Sequence, residues 1–288
     1  MSHICIIGAG GVGKAHALAA AKYLERVEGA TITLVDTREV LHQHFHPFIT
    51  NWHNSWGPIK DSIIVSPSIK VNRICIDQID YSPQEVFDLN ADLYIIATPN
   101  ATHYDYLTLL KGKVVLCEKP LVAYGQGVPT ITPTTHLGIE WLYHSQIKPL
   151  CGEFLSRIEF VHAYPPEAAM WDTKHEIYDL GSHVISIYQY ITGYDRIEYG
   201  QATQDGRVTT VNILDDHKTK LIFGYDRNAV GDSILINGHI KVDWIPFDQG
   251  DLFYRQIAYI MVGHPPKLDA GKIYEGTQML EVLYGETL

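Results

Sequence analysis

Two patterns of apolar and polar residues divide the chain near residue 150. Before it come short, mostly apolar runs at His3–Ile7, 30–35, 92–98 and 114–117. Such runs read as strands covered on both faces, the habit of parallel sheets. Between them lie helical stretches, one over 14–28 that is rich in alanine and leucine and a shorter one over 104–110. After residue 150 the segments 156–163, 196–203, 208–214, 218–225 and 233–244 read as strands, several of them alternating polar with apolar residues. Alternation predicts an antiparallel sheet with one wet face. Helices are predicted over 179–192, 250–262 and 274–284. Two stretches fit neither pattern. Residues 40–68 show no clear period, and 123–133 hold Gly125, Gly127, Pro129 and Pro133, which exclude a helix.

The first strand runs straight into Gly8-Ala9-Gly10-Gly11-Val12-Gly13 and then into the first helix. Glycines at this spacing, between a strand and a helix, are the dinucleotide-binding pattern. Gly8 permits the tight turn, Gly10 lets a pyrophosphate approach the backbone, and Gly13 lets helix and strand pack closely. The free N–H groups of Gly11, Val12 and their neighbours, aided by the helix dipole, hold phosphate oxygens. The second strand ends in Asp36, followed by Thr37 and Arg38. A carboxylate there accepts hydrogen bonds from ribose hydroxyls and repels a 2′-phosphate, which favours NAD. Arg38 is able to take that phosphate, so NADP stays open. Thr98, Pro99 and Asn100 end the 92–98 strand, where open parallel sheets bind ligands. Glu118, Lys119 and Pro120 end the next one and bring charge to the same edge. The expected fold is therefore α/β. A Rossmann dinucleotide-binding domain is expected over 1–121, and an α+β domain with a largely antiparallel open sheet over 122–288.

Composition narrows the function. Among 288 residues, 46% are hydrophobic, 19% are charged, and the formal net charge is −11. A globular, acidic chain without basic runs excludes a general nucleic-acid or anionic-membrane binder. No apolar stretch approaches the roughly 20 residues needed to span a bilayer. The N-terminal run has no basic residues before it and is expected to open a domain rather than act as a signal peptide. Cys5, Cys75, Cys117 and Cys151 are scattered, as expected for reduced thiols in a cytoplasmic protein. His42, His44 and His46 alternate, with His53 beyond. On a strand the first three share a face, a metal-binding spacing, but no acid or cysteine nearby completes a ligand set. They are read as a mobile or surface cluster, and no metal is assigned.

The glycine motif, the run Ala97-Thr98-Pro99-Asn100-Ala101-Thr102-His103 and the Glu118-Lys119-Pro120 tripeptide together resemble the Gfo/Idh/MocA oxidoreductases. These are NAD(P)-dependent dehydrogenases of sugars, inositols and related compounds. Their second domain carries D-x-x-x-H on a helix, which Asp179 and His183 match in order and spacing. The 233–243 hairpin and the Glu275-Gly276-Thr277 helix start also look like the family's. The resemblance implies that Lys119 stands at the nicotinamide end of the cofactor, with its ammonium towards the substrate oxygen. It also makes the Lys119–Pro120 peptide a candidate cis bond. Glu118 is read as an anchor or a neighbour of the cofactor amide, and His103 as a helix-start residue or a further cofactor contact.

Hydride transfer from a secondary alcohol leaves a hydroxyl proton to be removed, and His183 is the natural base. Asp179, four residues earlier on one helix face, orients the imidazole or binds a neighbouring hydroxyl. Lys119 stabilises alkoxide charge. The resemblance weakens at 123–150. There Glu140, Trp141, Tyr143 and His144 stand where the family often places an arginine. Glu140, Trp141 and Tyr143 are expected to face the substrate, together with Trp171, Lys174 and His175. Aromatic faces beside polar groups suit a sugar, nucleotide sugar or cyclitol, but also a flat pigment. Two alternatives are a reductase of a biliverdin-like tetrapyrrole or imine, and a nucleotide-sensing regulator without turnover. A homodimer or homotetramer is expected through the wet face of the second sheet.

Overall fold

The structure is a computed structural model. It describes residues 2–37, 52–54, 57–59, 69–76, 83–123, 126, 127, 129, 131–163, 180–194, 197–205, 208–226, 233–243, 249–268 and 270–287. Two compact units are formed. One comprises 1–138 with 246–265, the other 139–245 with 266–288.

The first unit is built on six parallel strands. These are β1 (His3–Ile7), β2 (Thr31–Asp36), β5 (Lys70–Cys75), β6 (Leu93–Ile96), β7 (Val115–Glu118) and β8 (Thr135–Gly138). They lie in the order β5-β2-β1-β6-β7-β8 and pair in parallel throughout. The order reverses between β1 and β6, and that switch point is where ligands of doubly wound sheets bind. Every residue of β6 and β7 is buried, which explains the apolar runs over 93–96 and 115–117 that precede the buried Glu118. Helix α1 (Gly11–Leu24) buries Ala17, Ala19, Ala20, Ala21 and Leu24 in this core. Its small side chains let the helix lie close to the strands. Helices α2 (Pro83–Asp88) and α3 (His103–Leu109) complete the local crossovers.

β5, α2 and β8 are absent from the sequence reading. β5 is an edge strand with no fully buried residue, α2 has six residues, and β8 reads Thr-His-Leu-Gly. A separate hairpin, β3 (Trp52–Asn54) with β4 (Gly57–Ile59), falls within the stretch without a period. His42, His44 and His46 lie outside the described residues.

The last piece of the first unit comes from far along the chain. Helix α5 (Gln249–Met261) packs on α1 and adds Phe253, Ile257 and Ile260 to its core. The unit thus differs in two ways from the sequence division at 121/122. It keeps 122–138 because β8 hydrogen-bonds to β7, and it takes α5 because α1 needs a cover.

The second unit has a six-stranded sheet. Its strands are β9 (Arg157–Ala163), β10 (Tyr199–Asp205), β11 (Val208–Ile213), β12 (Lys220–Asp226), β13 (Ser233–Ile236) and β14 (Ile240–Asp243). The order is β10-β11-β12-β9-β13-β14, antiparallel except for the β9–β12 pair. On one face Ile158, Phe160, Leu221, Phe223, Ile234 and Ile236 are buried. Helix α4 (Ser182–Thr192) packs against β9 and β12, and α6 (Ala270–Thr287) against α4 and β10. Helix α4 buries nine of its eleven residues and ends at Gly193, which has a φ of 73°. The β13–β14 turn uses Asn237 and Gly238, both with positive φ, the residue pair hairpins favour. The Asn237 side chain also accepts from the Ser156 N–H at 2.8 Å and donates to the Phe154 carbonyl at 2.7 Å. It thereby fastens the hairpin to the start of β9.

Candidate functional site

The glycine turn stands at the switch point. Gly8 has a φ of +92°, and a Cβ there would lie 2.5 Å from the carbonyl of Ala97. A Cβ on Gly13 would lie 1.8 Å from the Gly8 carbonyl oxygen. These two glycines are required by the protein's own packing. Gly10 and Gly11 differ, since a Cβ on either meets nothing within 4 Å. Helix α1 begins there with Gly10 as its cap, no side-chain cap bond and no acid in the first turn. Its first N–H groups therefore face open space with the positive end of the helix dipole behind them, a fit for a diphosphate. Val12 is exposed beside them, and Lys14, one turn in, is largely buried with its pKa lowered by desolvation.

Asp36 ends β2 with its carboxylate turned back to this loop. Oδ2 accepts from the Ala9 N–H, and Oδ1 from the Thr37 N–H at 2.7 Å. The acid is thus fixed by the turn whose cofactor it would read. Arg38 lies outside the described residues. Across the switch point Thr98 is half-buried and Pro99 and Asn100 are exposed, where a short 3-10 turn (Asn100–Thr102) leads into α3. The Thr102 hydroxyl donates to the Pro99 carbonyl at 2.9 Å and lies 2.8 Å from Thr98 Oγ1, closing that turn.

The Glu118-Lys119-Pro120 turn follows β7, and the Lys119–Pro120 peptide is cis. Glu118 is buried, and Lys119 is half-buried. The Glu118 carboxylate points inward, with Oε1 2.7 Å from Nε2 of His16 on α1. Gly138 on β8 is the floor above which that carboxylate fits, because a Cβ there would lie 2.7 Å from Oε1. His103 is also buried. Its Nδ1 is 2.9 Å from the Pro120 carbonyl oxygen and its Nε2 is 2.8 Å from that of Thr98. The sequence reading missed His16. The signal for it was an imidazole three residues past the glycine motif, in a helix otherwise built of alanine.

In the second unit His183 lies in the first turn of α4 and is 3% exposed. Its ring stands edge-on to Phe160, with centroids 5.3 Å apart at 89°. Glu140, Trp141 and Tyr143 share a 3-10 turn (Glu140–Tyr143) packed against α4. Trp141 is fully buried and stands edge-on to the same Phe160 at 5.3 Å, so its ring belongs to the core behind His183. Burial pushes the Tyr143 phenol pKa up, which keeps it a neutral donor. Asp179, Trp171, Lys174 and His175 lie outside the described residues. Among the described residues, no group of three or more His, Cys, Asp and Glu side chains is placed to hold a metal.

Comparison with known proteins places this geometry. Residues 2–131 match the family model described as "Oxidoreductase family, NAD-binding Rossmann fold", that of Gfo/Idh/MocA. A search of curated protein sequences finds no significant match. Among solved structures, the chain is similar to the myo-inositol 2-dehydrogenase from Lactobacillus plantarum, at 12% identity and a TM-score of 0.64. That match covers 99% of this chain and 96% of the other. It is also similar to the WlbA dehydrogenase from Thermus thermophilus in complex with NAD and UDP-GlcNAcA. There the identity is 13%, the TM-score 0.60, and the coverage 96% and 93%. A levoglucosan dehydrogenase in complex with NADH and levoglucosan matches at 14% identity and a TM-score of 0.62, over 99% and 96% of the two chains. At such identities the likeness speaks for the fold. The family match over 2–131, the glycine cradle and Asp36 speak for the cofactor: the first unit carries an NAD-binding Rossmann fold similar to that of the Gfo/Idh/MocA oxidoreductases.

Proposed function

We propose that the chain is a dehydrogenase that interconverts a secondary alcohol and its ketone on a sugar, nucleotide sugar or cyclitol. The observation that carries this reading is Lys119, half-buried on a cis-proline turn at the carboxyl edge of the NAD-binding sheet. An ammonium so placed suits the stabilisation of charge on a substrate oxygen. In the oxidative direction His183 takes the hydroxyl proton, Asp179 orients its ring, and Lys119 stabilises the alkoxide as it forms. A nicotinamide cofactor held by the glycine turn and Asp36 would supply the hydride acceptor. Glu140 and Tyr143 are the proposed substrate contacts on the second unit, with Trp171, Lys174 and His175. Trp141 supports them from the core.

The second sheet supplies the proposed contact between copies. The face turned away from α4 carries Val161, Val208, Thr210 and Leu235, all half-buried, with Glu159 among them. We infer that a second copy covers this face. Among the described residues no helix is long and apolar enough to cross a membrane.

The test is a nicotinamide-absorbance screen with NAD and NADP against myo-inositol, scyllo-inositol, levoglucosan and UDP-sugar acids. Lys119→Ala and His183→Ala are expected to lower turnover by about 10²-fold or more, the scale of an acid–base group. NADH binding should be nearly kept. Near-normal turnover in both variants overturns the assigned roles.

A further inference from the structure

We propose that His16 and His103 are positioning residues for Lys119, two buried imidazoles that hold the residues on either side of it. The inference rests on the catalytic reading of Lys119. Each neighbour of the lysine is held by one ring. On the N-terminal side, His16 Nε2 is 2.7 Å from Glu118 Oε1. An ionised carboxylate only accepts, so that nitrogen carries the proton. The His16 ring is fully buried, stands edge-on to Phe253 with centroids 4.6 Å apart, and leaves Nδ1 without a hydrogen-bond partner. On the C-terminal side, His103 reaches the Pro120 carbonyl with Nδ1 and the Thr98 carbonyl with Nε2. A neutral ring donates to one of these oxygens at a time, and a charged ring donates to both. Either way it ties the end of β6 to the turn after β7.

Stability alone does not call for this arrangement. Burying an imidazole and a carboxylate carries a desolvation penalty, and well-packed apolar side chains of similar volume often do as well. An unpartnered Nδ1 adds to the cost. What the polar contacts supply is direction. Glu118 would otherwise turn its carboxylate to water, as a charged residue at a strand end ordinarily does. With Glu118 and Pro120 both fastened, the Lys119 Cα has fixed neighbours on both sides. Misplacing a catalytic group by about 1 Å can cost on the order of 10²-fold in rate.

The amide nitrogen of glutamine can stand in for a histidine Nε2, and that of asparagine for Nδ1. His16→Gln therefore keeps the donor to Glu118, whereas His16→Leu removes it. His103→Asn keeps the donor to Pro120, whereas His103→Gln keeps only the one to Thr98. The first readout needs no substrate. It is the rate of Lys119 acetylation by acetic anhydride relative to exposed Lys111, measured by mass spectrometry on the full chain. The second is kcat and KM on whichever panel compound turns over, with NADH binding alongside. In His16→Leu and His103→Gln the labelling ratio is expected to change about threefold or more. Their kcat should fall about tenfold or more at near-constant KM. His16→Gln and His103→Asn are expected to stay within about twofold of the parent on both measures. Equal ratios within each pair would show rings that merely pack, and would overturn the proposal. If His16→Leu does not fold, Glu118→Met removes the same contact from the other side. If Lys119→Ala keeps full turnover, the catalytic reading of Lys119 fails, while the labelling ratios still decide whether the imidazoles set its position.

Discussion

Single residues in the glycine turn have separable duties, and substitution can separate them. Gly10→Ala adds a methyl group that meets no protein atom, so the fold should tolerate it and the diphosphate should not. The expected result is a melting temperature within a few degrees of the parent and NADH affinity lower by about tenfold or more, since the methyl enters the space where the backbone must approach the ligand. Gly13→Ala drives its methyl into the Gly8 carbonyl. It should cost about 1–3 kcal/mol of stability, the usual scale of overpacking. Thermal unfolding and NADH fluorescence titration check both. Gly8, Gly10, Gly13 and Asp36 were legible in the sequence because each position demands one residue type. His16 was not, because an imidazole in an alanine-rich helix can point either way until the helix is set against its neighbours. Trp141 was read as a substrate contact, and its burial in the core was not legible. Its place depends on Phe160, nineteen residues on in another element.

Elements were legible where burial on both faces forces an apolar run, as in β1, β6 and β7. They were illegible at sheet edges, where β5 and β8 mix polar and apolar residues. The turn from β11 to β12 shows a further device that strand patterning cannot reveal. Asp215 accepts from the Thr219 N–H at 2.9 Å, the Thr219 hydroxyl at 2.6 Å and the Tyr188 hydroxyl of α4 at 3.1 Å. Burial alone would raise its pKa, but these donors, with the His217 N–H, hold it below the ordinary carboxylate value. A carboxyl whose folded pKa is depressed stabilises the fold fully above its unfolded pKa of about 3.9 and loses that contribution as pH falls through the lower folded value. Asp215→Ala should therefore be less stable by about 1–2 kcal/mol at neutral pH. The gap should be flat from about pH 7 to pH 5 and close only below about pH 4. Urea unfolding across that range measures it. A gap that widens in acid would contradict the assignment.

At the scale of the whole molecule, the two kinds of sheet were legible from the change of pattern near residue 150. The membership of α5 was not, because an amphipathic helix announces that it needs a partner without saying which. The proposed oligomer belongs to this scale as well. Thr210→Arg with Leu235→Arg puts like charges on two strands, β11 and β13, of the half-buried face, and neither side chain faces the helices. Light scattering should read a dimer or tetramer for the parent and a monomer for the double variant, with helix content unchanged. A parent that is already monomeric at micromolar concentration would remove the proposal.

The return of α5 to α1 has a consequence for synthesis. A ribosome releases the cofactor-binding sheet long before the helix that roofs it, because residues 249–261 follow almost the entire second domain. Until then Leu24, the alanines of α1 and the outer side of His16 lack the Phe253 and Ile257 lid. The nascent first domain is thus an unfinished product that waits on the tail of its own message, and a prematurely terminated chain would present that bare surface to chaperones and proteases.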